Sequence, residues 1–398
     1  MATSESLQPP GRVLLGPGPS TVNARVLRAL SIPLVCHLDP AFLRIMDATR
    51  QLLQLVFQTS NELTIPISGT GSAGMEACLV NLLEPGDAAV ICVNGVFGTR
   101  MVDIVERCGA TAVRVEAPWG RSIDPADVAA ALQRCPHPKL LAIVHAETST
   151  GVWQPLEDIG RLAHAAGALF VVDTVTSLGG CPVHVDDWGI DACYSATQKC
   201  LSCPPGLAPI TFGARALEVL RRRKTKVQSW YLDLTMIEKY WGAERVYHHT
   251  APISMNYALY EALRVVEEEG LENRWRRHER NHHALRAGLA AIGLGLAAQE
   301  GRQLWTLNSV RIPDGVDDRR VRGILLDEFS IEIGGGLGPL QGKTWRIGLM
   351  GESSTLANVL SVLSALERAL PRCGHRLDAG AGVAAAERVY AAAEGPPP

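Results

Sequence analysis

The sequence predicts an α/β protein, with a large domain built on a mostly parallel sheet followed by a smaller α+β domain. Between residues 63 and 212, short apolar runs alternate with longer amphipathic stretches, which is typical of β-α-β units. The runs at 88–93, 140–145 and 169–173 are apolar without alternation, as expected for strands buried on both faces. After Tyr247 a long helix leads into interspersed short strands and helices, which indicates the second domain.

The spacing of apolar residues predicts each element in turn. In the first part, strands are expected at 63–68, 88–93, 112–116, 140–145, 169–173 and 208–212, with helices at 74–83, 98–107, 125–134 and 156–166. In the second part, a helix at 256–275 and a charged helix precede a strand at 304–312, a helix at 319–329, strands at 331–333 and 344–348, and a helix at 356–370. These elements predict an N-terminal arm (1–20), a large domain (21–275), a small domain (276–375) and an Ala/Gly-rich tail (376–398).

Composition and charge argue against several classes of function. The net charge of −3 gives no electrostatic basis for binding nucleic acid or an acidic membrane. No apolar run reaches the roughly 18 residues that span a bilayer, and the first residues lack the pattern of a secretory signal. The ten cysteines are scattered, so reduced and mostly buried thiols are expected; Cys200 and Cys203 lack a second pair to complete a zinc site. We therefore expect a cytoplasmic protein.

A glycine-rich turn at residues 68–74 is the first candidate site. It follows an apolar strand and opens a helix, so its backbone N–H groups and the hydroxyls of Thr70 and Ser72 can hold a phosphate. The same residues spell the dinucleotide-binding pattern G-x-G-x-x-G, but Asp87 lies before the next strand rather than at its end. A tight strand–helix turn without a ligand is the other alternative.

Asp173 and Lys199 form an ordered set with this turn. Asp173 ends a buried strand, where α/β sheets place their ligands, and a carboxylate there can keep a pyridine nitrogen protonated. Lys199 follows a short apolar segment, and an amine in a partly dry pocket has a lowered pKa and can form an imine. Together they indicate a site for pyridoxal 5'-phosphate (PLP). Taken singly, Asp173 could be a helix N-cap or a loop aspartate, and Lys199 a surface residue.

Two further polar positions stand out. Residues 147–151 form a polar loop after the strand at 140–145, for which ordinary turn chemistry is the alternative. Arg346 lies inside an apolar strand. Its guanidinium suits bidentate binding of a carboxylate, either of a substrate or of an internal ion pair.

These motifs, in this order, resemble the alanine–glyoxylate and serine–pyruvate aminotransferases of class V. The resemblance runs from residue 14 to about residue 370 and includes the segments 14–20, 56–59, 94–95, 149–151, 177–180, 247–250 and 336–339. It implies the fold-type I architecture of PLP-dependent transferases, with a seven-stranded sheet in the large domain.

The resemblance also implies a role for each candidate residue. Lys199, which holds PLP covalently, and Asp173, which pairs with the pyridine nitrogen, are the implied catalytic residues. The phosphate is bound by Thr70, Gly71, Ser72 and Gln198, and the ring by Phe97 and Ser149. Arg346 binds the substrate α-carboxylate, and Gly18 lies at the entrance to the substrate site. Tyr247 and Thr250 reach the cofactor of the neighbouring subunit, which implies a homodimer.

The implied reaction is a ping-pong transfer of an amino group from alanine or serine to glyoxylate, giving glycine and a 2-oxo acid. Phe97 stands where some relatives have tryptophan, and Ser72 where mammalian-type enzymes have histidine. The segment around His37 is more similar to ureidoglycine–glyoxylate aminotransferases, so (S)-ureidoglycine of purine breakdown is the alternative donor. His37 and Asn256 are the candidates for residues that select the donor.

Other classes of function leave more of the sequence unexplained. A desulfurase-like lyase needs a mobile catalytic cysteine, and no separate flexible cysteine loop is evident. A nicotinamide oxidoreductase built on residues 69–74 would give no role to Lys199 or Arg346. A non-catalytic anion-binding protein rests on the basic run at 221–226, which is more typical of a solvated helix end.

Overall fold

A seven-stranded sheet organises the larger part of the chain in the computed structural model, which describes residues 8–394. The strands are β1 (Val13–Leu14), β2 (Leu63–Ser68), β3 (Ala88–Val93), β4 (Thr111–Glu116), β5 (Leu140–Val144), β6 (Ala146–Glu147), β7 (Val152–Trp153), β8 (Leu169–Asp173), β9 (Ala192–Tyr194), β10 (Leu207–Phe212), β11 (Leu307–Arg311), β12 (Ile331–Glu332), β13 (Gly334–Gly335) and β14 (Thr344–Gly348). The α-helices are α1 (Ala24–Leu30), α2 (Pro40–Phe57), α3 (Gly71–Leu82), α4 (Val96–Arg107), α5 (Pro125–Arg134), α6 (Glu157–Ala165), α7 (Ala214–Arg221), α8 (Leu234–Trp241), α9 (Ile253–Glu269), α10 (Leu271–Ala291), α11 (Asp318–Phe329), α12 (Leu356–Ala369) and α13 (Ala381–Glu394).

The large sheet is mostly parallel, as the sequence predicts. Its strand order is β2-β10-β9-β8-β5-β3-β4, and β10 runs antiparallel to both of its neighbours. Each of the six expected strands is present within one or two residues of its expected ends. The unexpected strand, β9, is too short to show a periodic pattern in the sequence. The α/β fold class is therefore confirmed.

The sheet is buried on both faces, which explains its unbroken apolar runs. Along β3, Ile91 belongs to one hydrophobic cluster, together with Leu79 of α3 and Met101 of α4. The next residue, Cys92, belongs to a second cluster, which includes Ile159 of α6. Because successive side chains point to opposite faces of a strand, a strand covered on both faces must be apolar throughout.

One expected helix was wrong in its extent. The apolar pattern at 256–275 belongs to two helices, α9 and α10, which are separated by Gly270. The backbone φ of Gly270 is +78°, in the left-handed region that glycine adopts without strain, so the first helix ends there. Periodicity alone missed this break because the apolar spacing continues across it.

A third hydrophobic cluster lies in the C-terminal part of the chain. It joins Leu285 of α10 and Trp345 of β14 to helices α11, α12 and α13, and it includes Leu15. Strand β1 of the expected arm pairs in parallel with β12. The expected domain limits at 20, 275 and 375 stay predictions, and residues 1–7 of the arm and 395–398 of the tail lie outside the described residues.

The cysteines and the helices agree with the expectations from composition. All ten cysteines are free thiols, and eight of them are buried. Burial raises the pKa of Cys200 to about 12 and also raises that of Cys203. Within residues 8–394, no helix has the length and apolar character needed to cross a bilayer.

Candidate active site

The glycine-rich turn connects β2 to α3. Thr70 is the N-cap of α3, and its side chain makes no capping hydrogen bond, so the first N–H groups of the helix are available to an anion. Gly71 packs closely on the segment that carries the candidate lysine, since a Cβ at Gly71 would lie 2.7 Å from that of Ala196. In the same segment, the buried Oε1 of Gln198 has no hydrogen-bond partner within residues 8–394.

Helix α4 brings Phe97 and Arg100 to the same turn. Phe97 is partly buried, and the Cζ atom of Arg100 lies 5.0 Å from the centroid of its ring. Arg100 Nη1 donates a hydrogen bond of 3.1 Å to the hydroxyl of Ser72. These three residues therefore link α4 to the first turn of α3.

Asp173 ends β8, and its carboxylate is buried. Its Oδ1 accepts a hydrogen bond from Val175 N and its Oδ2 one from the Tyr194 hydroxyl, each at 2.8 Å. Burial raises the pKa of Asp173 to about 7; these hydrogen bonds and Lys199 oppose the rise, and Glu147 adds to it. A cation beside Asp173 would favour its ionised form. A turn rather than a helix follows, so Asp173 is not a helix cap.

Lys199 is held against the loop that precedes α1. Its Nζ donates a hydrogen bond to the Pro17 carbonyl. Gly18 has a φ of +105°, and a Cβ at this position would lie only 2.6 Å from Nζ, so the close approach requires glycine. Burial, aided by the charge of Arg346, lowers the pKa of Lys199 to about 8. Near neutral pH, a larger fraction of this amine is therefore unprotonated than in an exposed lysine, and the unprotonated amine is the form that acts as a base and nucleophile.

Arg346 lies in β14, the central strand of a three-stranded antiparallel sheet with β11 and β13. Its Nε donates to the Gly335 carbonyl at 2.8 Å, and only 8% of the residue is exposed. Burial lowers its pKa to about 10, against the opposing charge of Glu147. No carboxylate within residues 8–394 forms a salt bridge with Arg346, so the alternative of an internal ion pair is not met.

The polar loop at 147–151 lies next to α4. Ser149 is fully buried, and its hydroxyl donates to Glu147 Oε1 at 2.6 Å. The same hydroxyl accepts a hydrogen bond of 3.0 Å from Val96 N. The loop thus does more than reverse the chain direction, because it supplies a hydrogen-bond acceptor to the first turn of α4, which is distant in sequence.

Four candidate residues make no hydrogen bond with this group within residues 8–394. Tyr247 and Thr250 are exposed in the segment between α8 and α9, and the ring of His37 lies 5.3 Å from that of Tyr247. Asn256 is buried in α9, where its Nδ2 donates to Pro252 O at 3.1 Å. Within residues 8–394, His37 Nε2 and Asn256 Oδ1 are buried without hydrogen-bond partners.

Three residues of the site were not anticipated from the sequence. Tyr194 supports Asp173 from β9, a strand too short to be recognised. Glu147 lies in the expected loop, but nothing in the sequence indicates which partners it meets. Arg100 could have been found, because it follows Phe97 at the i+3 spacing that places two side chains on one face of a helix.

Comparison with known proteins gives the family. The model of the family "Aminotransferase class-V" matches residues 22–341. The (S)-ureidoglycine–glyoxylate transaminase of Bacillus subtilis is 43% identical over 98% of both chains. The crystal structure of the ureidoglycine–glyoxylate aminotransferase from Bacillus subtilis gives a TM-score of 0.95 at 44% identity, over 97% of this chain and 100% of that one.

Relatives that are named for alanine as the amino donor are similar to this chain to a comparable degree. The alanine–glyoxylate aminotransferase of Mus musculus is 43% identical, over 94% of this chain and 91% of that protein. The crystal structure of the alanine–glyoxylate aminotransferase from Nostoc sp. is 51% identical, with a TM-score of 0.91, over 92% of this chain and 97% of that one. With the family model and these relatives covering most of its length, the chain belongs to the class V aminotransferases.

Proposed function

We propose that this aminotransferase uses PLP to move an amino group from a small amino acid, alanine or serine, to glyoxylate, giving glycine and a 2-oxo acid by a ping-pong mechanism. The observation that carries the proposal is the grouping of a partly buried amine (Lys199), a buried carboxylate (Asp173) and a buried arginine (Arg346) that has no ionic partner within residues 8–394, beside a helix N-terminus. Glyoxylate as the acceptor is supported by the names of the relatives.

The residues present fit PLP, the cofactor that the family implies. When bound, PLP supplies an aldehyde for the donor's amino group and a ring that withdraws electrons from the donor's Cα. The phosphate would be held by Thr70, Gly71, Ser72 and Gln198, and the ring by Phe97 and Ser149. Asp173 would keep the ring nitrogen protonated, and that positive charge would in turn remove the cost of burying the carboxylate.

The chain's own residues supply the binding and the proton transfer. Lys199, with a pKa lowered to about 8, would take the proton from the donor's Cα at Nζ and later return it. Arg346 would bind the α-carboxylate that donor and acceptor share, which fixes the Cα of both at the same point relative to Nζ. The absence of a side chain at Gly18 keeps the approach to Nζ open.

A homodimer is part of the proposal and is supported by the exposed apolar side chains. Large apolar residues that are 40–64% exposed gather in residues 27–38 and 230–247. These two segments adjoin, as the contact of His37 with Tyr247 shows. Such a surface is typical of an interface. Tyr247 and Thr250 would then reach the partner's cofactor.

Small molecules rather than nucleic acid or a membrane would be the other partners, and the location would be cytoplasmic.

An absorption titration tests the proposal. The purified protein, supplied with PLP, should show a band near about 410–430 nm that bleaches toward about 330 nm when an amino donor is added. Lys199→Ala should lack this response and the turnover, whereas Lys224→Ala, which changes an exposed lysine of α7's basic end, should behave as the native protein does. Appreciable steady-state activity in Lys199→Ala would refute the assignment.

(S)-Ureidoglycine is a second candidate donor, favoured by a specific observation. Among residues 8–394, His37 Nε2 and Asn256 Oδ1 have no hydrogen-bond partner although they are buried, and the methyl side chain of alanine would offer them none. A ureido group carries both donors and acceptors, so a site built to bind it should discriminate strongly against a methyl side chain. In the same titration, bleaching at much lower concentrations of ureidoglycine than of alanine or serine would favour this donor.

A further inference from the structure

Helix α4 begins without a capping side chain of its own. Its N-cap is Gly95, and the first N–H groups of an α-helix need acceptors from outside the helix. These acceptors come from the loop at 147–151. Val96 N donates to Ser149 Oγ at 3.0 Å, and Phe97 N donates to Glu147 Oε2 at 3.2 Å.

The side chain of Glu147 occupies the space that a larger residue at position 95 would need. A Cβ on Gly95 would overlap the Glu147 side chain and lie 2.5 Å from Ser149 Oγ. The φ of Gly95 is 177°, which any residue adopts, so the glycine is required by space and not by backbone conformation. The carboxylate is thus packed tightly against the start of α4.

The same carboxylate fixes the direction of the Ser149 hydroxyl. A hydroxyl has one proton and two lone pairs, and an ionised carboxylate can only accept. Ser149 Oγ therefore donates its proton to Glu147 Oε1, at 2.6 Å, and uses one lone pair for Val96 N. One lone pair is left, so Ser149 can offer only an acceptor to a ligand.

Glu147 is also an unpaired charge inside the site. It is fully buried and forms no salt bridge within the part of the chain that the structure describes. Burial raises its pKa, while hydrogen bonds from Ser149 and Phe97 favour the ionised form. Its charge acts on both Asp173 and Arg346. The mechanism proposed above gives this carboxylate no role.

We propose that Glu147 is a positioning residue of the aminotransferase: it fixes Phe97 through the start of α4 and orients the Ser149 hydroxyl as a hydrogen-bond acceptor toward the bound cofactor or donor. The inference rests on the proposed function, because it takes Phe97 and Ser149 to face PLP. It requires an N–H or O–H group of the cofactor or donor opposite Ser149, since a lone pair there would repel an oxyanion.

The test compares Glu147→Gln with a matched control, Glu84→Gln. Glutamine keeps the size of the side chain but replaces one acceptor by a donor. It therefore cannot accept both from Phe97 N and from the backbone N and hydroxyl of Ser149, as the two carboxylate oxygens do. Glu84 makes the same kind of contacts at the far end of α3, accepting from Lys224 N, Thr225 N and the Thr225 hydroxyl. Circular dichroism verifies that each variant is folded.

Two measurements besides activity report on the site. For Glu147→Gln, the dissociation constant of PLP should rise about tenfold, through loss of charge-assisted hydrogen bonds. The pH midpoint of the visible band of bound PLP should move to lower pH, because a buried negative charge that favours a protonated cofactor is gone. A merely structural role would leave the midpoint in place, and Glu84→Gln should change neither quantity.

A double variant tests whether Glu147 acts through Ser149. Ser149→Ala should weaken PLP binding, and adding Glu147→Gln to it should cost much less than Glu147→Gln does alone. Full additivity, or native PLP affinity and midpoint in Glu147→Gln, would overturn the inference. If Glu147→Gln does not fold, Glu147→Asp replaces it: the shortened side chain should weaken PLP binding, and native affinity would overturn the inference.

Absence of a PLP band in the native protein would overturn the proposed function as well.

Discussion

Lys199 is partly buried and Asp173 and Arg346 are buried, and none of the three has a salt-bridge partner in the part of the chain that the structure describes. Removing a charged group from water is costly unless hydrogen bonds or an opposite charge compensate, and the shifted pKa values of the three groups reflect that cost. The cost is offset when a ligand brings the missing charges, namely a ring cation for Asp173 and a carboxylate for Arg346. Perturbed, unpaired groups of this kind concentrate at functional sites.

The raised pKa of Asp173 predicts how pH affects the stability of the cofactor-free protein. Burial raises this pKa from its ordinary value of 3.8 to about 7, so between these values the folded state binds more protons than the unfolded state. The free energy of unfolding should therefore fall as pH rises through this window and level off above it. Asp173→Asn lacks this titration, so its Tm relative to the native protein should rise by at least about 2 °C between pH 4 and pH 7.

The measurement is thermal unfolding of both proteins over this pH range, with and without PLP. A Tm difference that does not depend on pH in the cofactor-free proteins would contradict the raised pKa. With PLP bound, a cation beside Asp173 should lower the pKa, and the pH dependence of the difference should shrink.

Among the elements, helix α3 shows how the two ends of one helix are used differently. Its first turn, at Thr70–Ser72, is left without a side-chain cap and can bind an anion. At its other end, Arg223 Nη1 donates to the carbonyls of Asn81 and Leu83 at 2.9 and 2.7 Å. The basic run at 221–226 therefore supplies a structural contact, as expected of a helix end, since cations stabilise the C-terminal end of a helix dipole.

Arg223→Ala should destabilise the protein by about 1–3 kcal/mol, because buried carbonyls of α3 lose their charged donor. Arg222→Ala is the matched control, since Arg222 pairs with Glu218, at 2.7 Å, and its side chain is 78% exposed. That exposed pair should contribute little to the free energy of unfolding. Urea unfolding compares the two variants, and equal effects would show that the contacts of Arg223 with the helix end do not matter.

At the scale of the whole molecule, the proposed homodimer would bring residues of one subunit to the site of the other. Tyr247 is 57% exposed and lies with His37 on the surface that also carries Trp230 and Leu34. If these residues complete the partner's site, His37 acts on the neighbouring subunit's donor together with Tyr247, because the two rings are in contact. The selection of the donor would then be a property of the dimer.

Mixed dimers test this arrangement. Lys199→Ala and Tyr247→Ala should each have low activity alone, but a mixed dimer has one site with both native residues if Tyr247 serves the partner. Random mixing of equal amounts should then restore about a quarter of the native activity. If Tyr247 served the site of its own subunit, every site in the mixture would lack one residue and mixing would restore nothing. The unmixed variants are the control.

Sequence alone determined the features that depend on neighbours along the chain. The buried strands follow from unbroken apolar runs, the tight turn between β2 and α3 from its glycines, and the family from motifs in a fixed order. Asp173 and Lys199 could be chosen because Asp173 ends a recognisable strand, and because Lys199 follows a short apolar segment in a fixed order after the glycine-rich turn and Asp173.

Only the tertiary structure decided which distant residues meet. The cap of α4 by Glu147 and Ser149, the support of Asp173 by Tyr194, and the exposure of Tyr247 leave no local pattern, because each depends on the packing of elements far apart in the sequence. The end of α9 at Gly270 was likewise hidden by an apolar spacing that continues into α10. Local conformational preferences determine where helices and strands form, whereas burial and hydrogen bonding between elements determine which residues come together at the site.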